Sequence, residues 1–133
     1  MNTTMQKIEF SKNLARLFYA IAASDKRVRK TEIKTLKKLI WTDWSDLLDS
    51  KNNKQFDQHY QIELEFDRLV EEQPDPNNCF DDFVNYKLAN QEQFNQNILE
   101  LIWKTANSIA ISFSGKNKSE LILLTKLKMN LQQ

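Results

Sequence analysis

Three features of the sequence predict an all-α fold. With one glycine and two prolines in 133 residues, the chain lacks the turn residues that strands need at short intervals. Its apolar residues recur at the three- and four-residue spacing of amphipathic helices. Start and stop signals punctuate these stretches at ordinary helical lengths. The length suits one domain over residues 1–133, and 41% hydrophobic against 28% charged residues marks a folded chain rather than a disordered one. The expected architecture is a compact helical bundle of about five to seven helices.

Taken in order, residues 8–23 place Phe10, Leu14, Leu17, Phe18 and Ile21 on one stripe of a first helix. A polar loop over 24–30 follows. Thr31 then reads as the N-cap of the next helix, with Glu32 in its first turn facing the positive end of the helix dipole. Ile33, Leu36, Ile40, Trp44, Leu47 and Leu48 continue that helix to about residue 49. SKNNK (50–54) breaks the chain, and a third helix to residue 72 carries Phe56, Tyr60, Ile62, Leu64, Phe66, Leu69 and Val70. QPDPNN (73–78) interrupts again, because each proline disfavours helix at the residue before it. A helix over 79–89 offers Phe80, Phe83, Val84 and Leu88. The helix over 91–113 is apolar nearly all round at ILELIW, which predicts the central, buried position for it. Gly115 suits the left-handed cap beyond that helix. Ser119 and Glu120 open a last helix with Leu121, Leu124, Leu127 and Leu131.

The chain also echoes itself. AIAASDKRVRKTEIKTLKKL is answered about ninety residues later by SIAISFSGKNKSELILLTKL. Both read as apolar helix, polar loop, Ser/Thr–Glu start and basic helix. Two related helical hairpins, packed face to face with the middle helices at the sides, are therefore expected.

In this pattern the chain resembles the TerB-like helical domains, which include the tellurite-resistance protein TerB and the N-terminal region of DjlA-type co-chaperones. Their signature is an apolar helix ending in Ala-Ala-x-Asp-Gly, a Val or Ile in the loop, and a Glu seven residues after the Asp. Ala22, Ala23, Asp25, Val28 and Glu32 stand at those positions, and a second, related hairpin follows near the C-terminus. Lys26 stands in place of the glycine, and Ser114 where the family often has an acid. The resemblance implies a stress-response role as an adaptor, with acidic loop residues suggested to bind metal.

The loop itself admits three readings. As a divalent-metal site it would use Asp25 and Glu32. An EF-hand, however, places oxygen ligands where this loop has Arg27 and Arg29, and a glycine where it has Lys30. As a turn, Asp25 would bond nearby backbone, Glu32 would meet the helix N-terminus, and Val28 would pin the loop to the core. As an anion site it would draw on Lys26, Arg27, Arg29, Lys30, Lys34, Lys37 and Lys38, joined by Lys116, Lys118, Lys126 and Lys128 if the two hairpins lie side by side. Such a face would attract nucleic acid, an anionic membrane or an acidic protein surface. The net charge of only +1 is far from that of a dedicated nucleic-acid binder.

Acid is concentrated in residues 57–82, where nine carboxylates including Glu71 and Glu72 face Arg68 alone. This separation of charge suits steering towards a charged partner, or head-to-tail self-association. Trp44 and Trp103 fit core stripes. Trp41 lies beside its stripe and is a candidate for packing and for partner contact. His59 is expected to be an exposed or partly buried structural residue, and Cys79 sits near a helix start where a thiolate can be stabilised. No phosphate loop, HExxH or CxxC occurs, so no catalytic set and no cofactor are expected. The N-terminus lacks the layout of a secretory signal and no apolar run is long enough for a span, which predicts a cytoplasmic protein. The resulting expectation is a non-catalytic adaptor that binds another protein through its charged faces and Trp41.

Overall fold

The helical periodicity of the sequence is realised throughout a computed structural model that describes residues 3–24, 28–48, 57–112 and 118–132. Among the described residues there are six α-helices and no strand. They are α1 (Thr3–Ala22), α2 (Lys30–Trp44), α3 (Gln58–Glu72), α4 (Pro76–Ala89), α5 (Gln96–Ser112) and α6 (Lys118–Leu131), with one 3₁₀ turn (Gln91–Gln93) before α5. Phe56 and Gly115 lie outside the described residues.

Local chemistry explains the boundaries. α2 starts at Lys30, and its N-cap is Arg29, two residues before the expected N-cap Thr31. Glu32 accepts the Arg29 backbone N–H at 2.7 Å, as the turn reading of the loop expects. Asp57 caps α3 by accepting the Tyr60 N–H at 3.1 Å. α3 ends at Gln73, whose φ of 52° is left-handed and whose N–H reaches Leu69 O at 2.8 Å. Proline follows, and it disfavours a right-handed helical residue before it. α4 begins three residues earlier than expected. Pro76 occupies its first turn, where a missing N–H costs nothing, and Asp75 accepts the Asn77 N–H at 2.9 Å.

The central helix is α1, not α5. α1 packs against α3, α4, α5 and α6, and nearly every side of it from Phe10 to Ala23 is buried. Alanines at 15, 20, 22 and 23 let neighbouring helices approach closely from several directions. The polar Ser11 and Asn13 are admitted because they bond the carbonyls of Lys7 (3.0 Å) and Glu9 (2.8 Å). α5 is bulkier and lies further out, with Leu101 and Trp103 half-buried and Ile111 exposed. Leu47, Leu64, Leu88 and Leu121, expected on buried stripes, are exposed as well.

The sequence echo survives in part. α2 packs on α5 and α6 packs on α1, as an exchange of the two hairpins requires. α6 also packs closely on α5, whereas α2 finds its other main neighbour in α3 and meets α1 through the edge of Trp44 against Phe18, centroids 6.1 Å apart. α2 and α6 therefore flank α5 rather than each other, so the described lysines of these two helices do not merge by direct helix pairing. Val28 packs against the core as expected. No helix among the described residues is long and apolar enough to cross a membrane.

Candidate interaction surface

The edge where α2 meets α3 gathers most of the residues singled out in the sequence. Lys37 bridges the helices, its Nζ 3.1 Å from an Asp67 carboxylate oxygen and 3.9 Å from Glu63. One turn on, Trp41 donates Nε1–H to Glu63 Oε2 at 3.0 Å. As the α2 numbers rise the α3 numbers fall, so the helices run antiparallel. The basic block of α2 and the acidic block of α3 thus meet along a seam rather than forming opposed faces.

Trp41 is 48% exposed, so it is neither a core residue nor a free one. Its inner face lies flat on His59, with ring centroids 4.1 Å apart and planes inclined by 3°. Stack and hydrogen bond together hold the indole in one orientation with its outer face in water. Tyr60 and Leu64, the latter 49% exposed, stand on the outer side of α3 beside this point. Lys30, Lys34 and Lys38 form an exposed i, i+4 ladder on α2, and none has an ion-pair partner among the described residues. Arg29 is exposed at its N-terminal end. Lys26, Arg27 and Asp25 lie outside the described residues. No group of three potential metal-ligating side chains occurs among the described residues, and Glu32 is engaged as a helix cap.

His59 differs from expectation, being wholly buried. Neither ring nitrogen has a hydrogen-bond partner among the described residues. Leaving a buried polar group unpaired costs roughly 1–3 kcal/mol. Burial lowers the imidazole pKa, against the opposing pull of the Asp57 and Glu63 carboxylates.

The two acids proposed for partner contact part company. Glu71 is exposed near the end of α3 without an ion pair among the described residues. Glu72 accepts Arg68 Nη1 at 2.7 Å and lines a separate groove of about 480 Å³ between α1, α3 and α4. At the side of this groove Glu65, nearly buried, accepts Arg68 Nε at 3.0 Å, Arg68 Nη2 at 2.7 Å and Arg16 Nε at 3.2 Å. Burial alone would raise the Glu65 pKa, but the hydrogen bonds and charges of Arg68 and Arg16 outweigh it and hold the carboxyl below its ordinary value. Both arginines are committed to carboxylates, so the groove is not a free cationic site.

Cys79 lines the same groove but is buried, and burial pushes its thiol pKa up to about 11. This is opposite to the lowering expected near a helix start, because Cys79 sits a turn inside α4 with the carboxylates of Asp82 and Asp75 nearby. At pH 8 its alkylation by iodoacetamide should be on the order of 10²-fold slower than that of a free cysteine. A rate within threefold of the free thiol would contradict that burial.

Tyr60, Glu63, Leu64 and Asp67 were not singled out in the sequence as parts of a surface. His59, Glu63 and Asp67 recur every four residues and so mark one edge of α3. That signal was present, but the identity of the helix lying against the edge was not.

The fold defines the class of the protein, an all-α helical bundle. No family model, curated protein or solved structure matches the chain.

Proposed function

We propose that this chain is a non-catalytic adaptor domain that binds another protein along the α2–α3 edge, with Trp41 as the anchor. The observation that carries this reading is the half-exposed indole, oriented by His59 beneath it and by Glu63 at its rim. An oriented aromatic loses little freedom on docking, and tryptophan is enriched among residues that dominate binding energy. The lysine ladder beside it and the Glu63–Asp67 row supply charge of both signs, which favours a partner of mixed charge. The resemblance of AASDKRVRKTE to the TerB-like motif supports a cytoplasmic stress-response setting.

The test is capture from native lysate by wild type, Trp41→Ala, and a Lys34→Glu/Lys38→Glu variant, at low and moderate salt. Trp41→Ala should weaken retention of a near-stoichiometric partner by about 30-fold or more, the effect of a hot spot near 2 kcal/mol. Helicity should be unchanged. Partner retention equal in wild type and Trp41→Ala would refute the docking surface.

The exposed Lys30, Lys34 and Lys38 ladder favours a second reading, binding of nucleic acid or an anionic membrane. It predicts recovery of polyanion rather than protein, lost as salt rises and lost in the double lysine variant.

A further inference from the structure

We infer that His59 is a proton-operated latch beneath Trp41, so that acidification lifts the indole off α3 and remodels the α2–α3 edge. The functional consequence rests on the docking role proposed for that edge; the latch itself does not.

The geometry that carries the inference is the closed arrangement. The imidazole lies wholly buried under a parallel indole at 4.1 Å, with neither ring nitrogen bonded to any described residue. A neutral ring can stay there. An imidazolium carries two N–H donors and a full charge, and in this enclosed position neither donor has an acceptor among the described residues.

Among the described residues, the charged groups around it come from two helices. On its own helix are Asp57 and Glu63, both of which favour the cation. From α2 comes Lys37, which is held by Asp67 and Glu63. The neighbouring Gln58 donates to the Lys7 carbonyl at 3.0 Å and to Ser11 Oγ at 3.1 Å on α1. The indole face also attracts a cation. Burial opposes these attractions and is the largest influence on the ring. Lifting Trp41 removes that opposition: it admits water to both nitrogens and leaves Glu63 free to accept from the imidazolium.

The sign follows from the two states. The closed form holds the His59 pKa below the ordinary value of about 6.5, and the open form returns it there. The open form therefore binds more protons. It gains on the closed form as pH falls through about 6.5, with the full effect reached below the closed-form pKa.

The chain has a single histidine, so its ring resonance reports this group without ambiguity. The experiment follows that proton signal and the fluorine signals of 5-fluorotryptophan-labelled protein from pH 7.5 to 5, with Trp41 assigned by Trp41→Phe. Expected are a histidine midpoint below 6.5 and a Trp41 signal that shifts with the same midpoint, a shift lost in His59→Phe. A histidine midpoint at or above 6.5, a Trp41 signal flat through the histidine titration, or the same Trp41 shift in His59→Phe would each overturn the latch. If His59→Phe does not fold, the two wild-type signals decide the matter. Because the titration uses the protein alone, the latch and the docking role can fail separately. If both hold, the captured partner is retained less at pH 5.5 than at 7.5 by wild type, and equally at both by His59→Phe.

Discussion

Replacing Trp44 by alanine is expected to remove about 4 kcal/mol of unfolding free energy, most of the margin of a domain of this size. Trp44 is wholly buried, packs edge-on against Phe18 of α1 and donates Nε1–H to Thr105 Oγ1 of α5 at 2.9 Å. It therefore joins three helices through one side chain. Truncation opens a cavity among residues that cannot all collapse into it. It also deprives a buried hydroxyl of its donor, a further loss of about 1 kcal/mol within that total. Trp44→Phe should cost about 1–2 kcal/mol, since most of the ring is kept and only the hydrogen bond and part of the volume go. Urea unfolding followed by circular dichroism measures both. A loss below about 1.5 kcal/mol in Trp44→Ala would mean that α2 is not seated on α5 as described. The contrast with Trp41, three residues earlier, is a strong check: Trp41→Ala should cost only about 1 kcal/mol because half of that indole is already in water.

The second large effect is expected at Glu65. Glu65→Ala should destabilise the fold by about 2–3 kcal/mol, short of the ~3–5 of a wholly buried ion pair because Arg16 and Arg68 remain partly in water. The loss comes from the two guanidinium groups left without their shared acceptor at the α1–α3 interface. Glu65→Gln should be milder, since one amide oxygen can still accept. The pH dependence has a definite sign. The folded pKa lies below its ordinary value, so the contribution is complete above the unfolded pKa near 4.3 and fades as pH falls through the folded one. Wild type should therefore lose stability below about pH 4.3 more steeply than Glu65→Gln. Parallel acid limbs would show that the carboxylate is not bound as described. This window lies below that of His59, so stability measured against pH separates the two groups.

Legibility in the sequence varied with the range of the information. Existence and type of every described helix could be read from spacing, since the i, i+4 apolar pattern is written within each element. Boundaries were less legible: α1 begins five residues before the expected start and α5 five residues after it, and the prolines misled as well. Pro74 and Pro76 look alike as helix breakers, yet Pro76 is the first residue of α4, because a helix's first N–H groups have no partner to lose. The candidate surface was half legible. Lys34, Lys37 and Lys38 stood out as members of a basic block and Trp41 as a separate candidate, whereas their counterparts Glu63 and Asp67 were seen only as members of an acidic block. Nothing in a run of carboxylates states which one lies 3.1 Å from a given lysine.

By itself the sequence determined the helical class, the order of the helices, the scarcity of turns and the segregation of charge into a basic α2 and an acidic α3. All of these depend on residue types a few positions apart, where backbone geometry alone dictates what faces what. The tertiary structure decided that α1 rather than α5 is central, that Lys37 joins the two charge blocks along a seam, and that Trp41 lies on a buried His59 with no hydrogen-bond partner among the described residues. Those outcomes turn on which helix best fills the space beside another. Alanines allow close approach and bulky leucines hold neighbours off, and that competition is summed over contacts between residues far apart in the chain. The most hydrophobic helix therefore need not be the innermost, and a histidine in a polar run can be the most enclosed side chain on its edge.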